Sequence, residues 1–279
     1  MSVDNPPSAG KAGRNLPVAI ASGLALAAVF LGTLVTNPWL LLGFIGILMG
    51  IAVFELDHAF RGHGLRPLTP VVVGAGFVMF FGTYRSGASA QTLGLVLLLF
   101  GAMAGGVLER DRSRLAQSLG ATMLMAVWVP FLASFMGLLL GRPNGRWYVF
   151  AAVLLAVMND IGAFAVGMRF GRHKMAPKVS PAKSWEGFAG GVAAAMLAGV
   201  VILSPFVPGL GWAQGLLLGA GAAIAATLGD LAESMVKRDL GVKDLGRIIP
   251  GHGGIMDRAD AIIFALPMVS LLLDVLRLP

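Results

Sequence analysis

Nine stretches of this chain are apolar for roughly the 17 to 25 residues that a helix needs to cross a ~30 Å hydrocarbon core. They run Leu16 to Val35, Trp39 to Phe60, Thr69 to Tyr84, Gln91 to Leu108, Leu119 to Leu140, Trp147 to Phe170, Trp185 to Phe206, Trp212 to Gly229 and Ala261 to Leu276. In lipid every backbone N–H and C=O must be satisfied within its own segment, so the runs predict an all-α polytopic membrane protein of about nine helices. Composition agrees: 57% of the 279 residues are hydrophobic and 13% are charged, against about 25% charged in an average soluble domain. Residues 1–15, with Pro6 and Pro7 and little apolar content, read as a disordered tail. The first run follows Lys11 and Arg14 with no small-residue cleavage site, and so predicts a retained anchor. Residues 16–140 form the expected N-terminal helical region and residues 141–279 the expected catalytic region.

Basic residues set the orientation. With the N-terminus in the cytoplasm, seventeen of the 21 Lys and Arg fall inside and only Arg85, Arg142, Arg146 and Arg277 outside, a strong positive-inside bias. The net charge of +7 then reports basic loops facing anionic lipid or a phosphorylated substrate rather than nucleic acid. The spacings Gly46/Gly50, Gly101/Gly105, Gly167/Gly171 and Gly215/Gly219 are G-x-x-x-G and predict close helix approach. The chain has no cysteine, which removes disulfides, thiolate nucleophiles and Cys-ligated metal.

Charge is concentrated: eleven of the 35 charged residues lie between Asp230 and Asp260. Asp230, Glu233, Ser234 and Lys237 share a helical face at i, i+3, i+4 and i+7. Asp257 and Asp260 are three apart at the start of the last span. Carboxylates at two helix ends suggest a bound cation, since acids in a membrane are costly without one. Pro250-Gly251-His252-Gly253-Gly254 lets backbone approach a ligand closely. A second cluster, Ser180, Pro181, Lys183, Ser184, Trp185 and Glu186, follows a basic loop carrying Arg172, Lys174 and Lys178, with a helix cap as its plainer reading. Asn159 and Asp160 form a third, near the middle of the sixth span and expected to be buried, with Arg169 an alternative partner for Asp160. Glu55 and Asp57 end the second span, with Arg61 at i+4 from Asp57.

The segment Ser234 to Asp260, SMVKRDLGVKDLGRIIPGHGGIMDRAD, resembles the signature of the phosphatidate cytidylyltransferase family, the CDP-diacylglycerol synthases, with its S-x-x-K-R, K-D, H-G-G and D-R-x-D elements. Ser180 to Gly191 and the Asn159-Asp160 pair followed by Gly167 resemble the family's other recurring segments. Ala259, Ser184 and Phe164 depart from its usual residues without removing a charge. The resemblance implies transfer of a cytidylyl group from CTP to phosphatidate, giving CDP-diacylglycerol and pyrophosphate for phospholipid synthesis. The expected partners are those substrates, the bilayer and a second copy of the chain in a homodimer, with no nucleic acid. Multi-pass insertion in the cell (inner) membrane with the site facing the cytoplasm is the expected location.

On this reading Asp230, Asp257 and Asp260 hold Mg2+, with room for a second cation. Lys237, Arg238, Lys243 and Arg258 bind phosphates, and Ser180, Pro181, Lys183 and Ser184 contact CTP or the lipid phosphate. His252 serves as phosphate donor, general acid or loop-orienting residue. Asn159, Asp160, Glu186, Asp244, Gly253 and Gly254 organise the surroundings. Competing readings are a CTP-dependent polyprenol kinase, an ether-lipid cytidylyltransferase and, in a different class, an anion transporter.

Overall fold

The computed structural model describes residues 16–246 and 253–278. The expected tail, Arg247 and His252 lie outside the described residues.

Among those residues the apolar runs become nine long helices: α1 (Leu16–Thr36), α2 (Pro38–Gly62), α3 (Thr69–Ser86), α4 (Ala88–Leu108), α5 (Leu115–Leu140), α6 (Gly145–Phe170), α7 (Trp185–Phe206), α8 (Trp212–Asp239) and α9 (Met256–Val275). Six of them, α2 and α4 to α8, are long and apolar enough to cross a membrane by length and composition. The charges Asp257, Arg258, Asp260 and Asp274 lower the apolar content of α9, and the described apolar stretch of α1 is the shorter Ala21–Thr36.

Local chemistry explains the boundaries. Asn37 caps α2 by accepting a hydrogen bond from the Trp39 amide (2.8 Å), and Pro38, which has no N–H to leave unpaired, starts the helix. Pro130 cannot donate to the preceding turn, and α5 absorbs it in a π-helical stretch, Val127–Phe131. α8 continues ten residues beyond the run that ended at Gly229, because Asp230 to Asp239 lie past the apolar stretch yet still form good helical turns. α9 begins at Met256 rather than Ala261, so Asp257 and Asp260 lie inside the helix.

Between α6 and α7 the chain forms a hairpin. Strand β1 (Lys174–Ala176) pairs antiparallel with β2 (Ser180–Ser184), with Lys174 opposite Ser184 and Ala176 opposite Ser180. The Ser180–Ser184 segment is therefore a strand, where the sequence suggested only a loop entering a helix.

Glycines govern the packing of the C-terminal helices. A β-carbon at Gly215 would lie 2.5 Å from the Gly199 carbonyl oxygen, and one at Gly219 would lie 2.6 Å from that of Ala195, so α8 rests backbone against backbone on α7. Gly162 of α6 meets the Gly190 carbonyl at 2.6 Å in the same way. Gly101 and Gly105 of α4 receive Val71 and Leu68. Gly46 faces the Phe81 ring whereas Gly50 has open space around it, so that G-x-x-x-G spacing makes a contact through one glycine only.

Polar ties hold the two ends of the bundle. At one end Arg66 and Leu68 amides donate to Ser118 and Thr122 hydroxyls (3.0 and 2.9 Å), and Arg66 pairs with Asp111 (3.1 Å). The Ser113 hydroxyl and amide hold the Asp111 carboxyl below the usual carboxylate range. At the other end Arg146 donates to the Val35 carbonyl (2.5 Å), while Arg142 reaches Asp274 and the Leu278 carbonyl. Between them buried side chains from α1 to α9 form one core that includes Leu41, Met79, Trp128, Tyr148, Leu218 and Leu266.

Gly219→Leu should lower the thermal midpoint in detergent, since overpacking against fixed backbone costs about 1–3 kcal/mol. Gly50→Ala, which meets nothing, should leave the midpoint unchanged or raise it slightly.

Candidate functional site

The extension of α8 carries the site. Asp230, Glu233 and Lys237 project from one face of its last turns, and Glu233 is buried at 2% exposure. The start of α9 packs against them. One carboxylate oxygen from each of Asp230, Glu233 and Asp260 lies within 4.8 Å of the other two. Three like charges so close repel strongly when ionised in a medium less polar than water, and a cation between them relieves this. Glu233 Oε1 is buried with no hydrogen-bond partner among the described residues. Three converging carboxylates, one of them with a buried oxygen left without a partner among the described residues, are a donor set suited to a hard divalent ion, so these residues fit Mg2+.

Asp257 stands beside this group with other partners. Its carboxylate accepts hydrogen bonds from the Gly254 amide (2.8 Å) and the Leu245 amide (3.1 Å), and it pairs with Lys237 Nζ at 3.0 Å. Lys237 also pairs with Glu233 at 2.7 Å and so bridges the two helices. Gly253 has φ +85°, a conformation that side chains with a β-carbon rarely adopt, and a β-carbon there would press on Asp257 Oδ2 at 3.2 Å.

The hairpin borders an open cavity of about 450 Å³ between α6, α7 and α8, mostly apolar in its walls but carrying several polar side chains. Asn159, Asp160, Lys183, Ser184, Thr227 and Asp230 line it, with Phe164, Met168 and Phe188 as apolar wall. Lys183, on β2, places Nζ 2.5 Å from Asp230 Oδ2. Asp160 is exposed to this space rather than buried in helix packing, because α6, α7 and the hairpin diverge around it. Asn159 Nδ2 lies 3.4 Å from Thr227 Oγ1, and its buried Oδ1 has no hydrogen-bond partner among the described residues. Arg169 lies over the Phe170 ring.

Other predicted residues hold the frame. Ser184 caps α7, its hydroxyl accepting from the Gly187 amide (3.1 Å), while also lining the cavity. Glu186 accepts from the Arg172 amide (3.1 Å) and meets His173 Nδ1 at 2.5 Å, which fastens the hairpin entrance to α7. Arg238 donates to the Val179 carbonyl (3.2 Å), which ties α8 to the hairpin that carries Ser180 and Pro181. Lys243 and Asp244 are exposed just after α8. Arg258 borders a second, apolar cavity of about 280 Å³ whose other lining residues include Phe30, Leu48, Met136, Ala259 and Ile262.

Sequence reasoning placed Glu233 on the acidic face but left it out of the metal set, although its i+3 spacing from Asp230 was the available signal. Thr227, at i−3 on the same face, had the same signal.

The profile of the cytidylyltransferase family matches residues 17–276. The phosphatidate cytidylyltransferase of Mycobacterium bovis is 36% identical over 265 residues, covering 91% of this chain and 86% of the relative. That of Mycobacterium leprae is 36% identical over 270 residues with the same coverage. That of Staphylococcus haemolyticus is 42% identical over 132 residues, 47% of this chain and 51% of its own. With nearly its whole length matched and these relatives aligned along most of it, the chain belongs to the cytidylyltransferase family.

Proposed function

We propose that the chain is a phosphatidate cytidylyltransferase that makes CDP-diacylglycerol and pyrophosphate from CTP and phosphatidate. The observation that carries this is the convergence of Asp230, Glu233 and Asp260, with Asp230 meeting Lys183 at the edge of one cavity, in a member of this family. A phosphate oxygen of the lipid attacks the α-phosphorus of CTP, a new P–O bond forms, and the bond to the β-phosphate breaks to release pyrophosphate. The nucleophile is already an anion at neutral pH, so the protein need only hold two anionic substrates in line and neutralise the charge that moves onto the leaving group.

Asp230, Glu233 and Asp260 would hold Mg2+, with Asp257 next to them. When bound, the ion supplies charge neutralisation for the triphosphate and a fixed point for its orientation. Lys183 reaches the same cavity with its ammonium beside Asp230, where it can turn to a substrate phosphate. Lys237, held between Glu233 and Asp257, keeps two acids of adjacent helices in register. Phosphatidate also brings two apolar chains, and the second cavity supports a place for one of them: its walls are apolar and it borders the turn that bears Asp257, Arg258 and Asp260. The same reading includes nine crossings, a cytoplasmic N-terminus and site, the cell (inner) membrane, a homodimer and a second cation beside the first. The positive-inside bias supports the orientation.

Detergent-purified protein given labelled CTP, phosphatidate and Mg2+ should move label into lipid and release one pyrophosphate per label. Phosphorylated lipid with CDP would instead identify a kinase. Asp260→Asn should reduce turnover by on the order of 100-fold or more at an unchanged thermal midpoint. EDTA should stop the reaction and excess Mg2+ restore it; activity surviving both treatments would overturn the metal assignment. Ala259→Trp should fill the apolar cavity and raise the KM for long-chain phosphatidate while leaving the KM for CTP unchanged, read by initial rates against each substrate.

A further inference from the structure

Glu55 sits in α2, about two hundred positions from the acids of the site, and its sequence neighbourhood ties it to Asp57 and Arg61. The structure separates them. Asp57 takes Arg61 (2.8 Å) and the Thr69 hydroxyl (2.5 Å), while Glu55, two residues earlier, turns inward and is only 5% exposed. Its two oxygens accept hydrogen bonds from the amides of Ile255 (3.1 Å) and Met256 (3.0 Å), which open α9. Ile255, at the cap position of that helix, provides no side-chain hydrogen bond of its own. A carboxylate from a distant helix therefore does what a local Ser or Asp does elsewhere, with its charge set against the positive end of the helix dipole.

The surroundings are shaped to this carboxylate. A β-carbon at Gly254 would lie 2.6 Å from Glu55 Oε2, and one at Gly246 would overlap Oε1. Glu55 thus occupies the space between both of these glycines. Asp257 completes the arrangement from the other side by accepting from the Leu245 and Gly254 amides. Four backbone amides, those of residues 245, 254, 255 and 256, point at two carboxylates, and the place of Asp257 and Asp260 depends on where this first turn sits.

We propose that Glu55 is a positioning residue for the reaction: by capping α9 it sets where Asp260 stands relative to Asp230 and Glu233. The proposal rests on the cytidylyltransferase reading for its consequence in turnover, but its structural claim concerns the metal-binding acids alone. Glu55→Ala removes both acceptors; Glu55→Gln keeps one and turns an N–H donor toward the second amide, so it should behave similarly although its volume is unchanged.

The test uses the full chain in detergent with Mn2+ alone as probe, titrated by electron paramagnetic resonance, together with hydrogen exchange of the amides at 255 and 256. In the folded fraction of both variants, half-saturation should require about tenfold more Mn2+, in line with the usual effect of removing a residue that orients metal ligands. Exchange at 255 and 256 should accelerate, and kcat should fall while the Mg2+ concentration for half-maximal rate rises. A role in stability alone would lower the folded fraction and leave both metal midpoints where they are in the wild type. Unchanged midpoints and unchanged protection in folded Glu55→Gln would overturn the proposal, and this variant decides the matter if Glu55→Ala does not fold. Loosened Mn2+ binding with no cytidylyl transfer by the wild type would overturn the reaction and leave the positioning role standing.

Discussion

Where α7 crosses α6 and α8, the helices touch through backbone rather than side chains. Gly162 lies on the Gly190 carbonyl, and Gly215 and Gly219 lie on those of Gly199 and Ala195. Lipid gives little hydrophobic drive to associate helices, so close van der Waals approach supplies the adhesion, and residues without side chains make it available. The site depends on this contact. Held this close, the three helices leave a cavity at one end, and the β1–β2 hairpin that joins α6 to α7 borders it with Lys183.

The opposite problem is solved at the α8–α9 junction, where carboxylates are pressed together. Asp230, Glu233 and Asp260 would repel each other in this setting, and the chain answers with partial neutralisation: Lys183 beside Asp230, and Lys237 shared by Glu233 and Asp257. The compensation is incomplete by design of the packing, since Glu233 Oε1 has no partner among the described residues. On the proposed reading, a divalent ion and a triphosphate would each find their complement in this surplus of acids next to cations without large rearrangement. Backbone amides do the remaining work at Asp257 and Glu55, where charge is held by fixed dipoles.

Much of this was legible in one dimension. The nine helices lie where the apolar runs do, the face carrying Asp230, Glu233 and Lys237 follows from helical spacing, and Asp57 meets Arg61 at i+4. Helical spacing is a local rule, and α8 obeys it past the end of its apolar stretch. Other features were not legible. The strand at Ser180–Ser184 is only five residues long and depends on its partner, Lys174–Ala176, so no alternation within it reveals a sheet. Glu186 looked like part of the basic cluster, yet the turn into α7 directs it to His173. Which acid of α9 comes within reach of Asp230 and Glu233 was not legible either, because spacing within α9 does not fix its rotation relative to α8; the structure brings Asp260 there.

The sequence by itself determined the membrane architecture and the kind of chemistry. Hydrocarbon forces helices on any apolar run of that length, and the clustering of acids, bases and glycines between Asp230 and Asp260 points to phosphate and metal wherever that segment lies. Tertiary structure alone decided the membership of the site. Glu55 is about two hundred residues from the amides it caps, Lys183 is about fifty from the acid it meets, and the apolar cavity beside Arg258 takes its walls from helices at both ends of the chain. Such contacts follow from how whole helices rotate and approach, which is set by the sum of many packing contacts rather than by any local pattern.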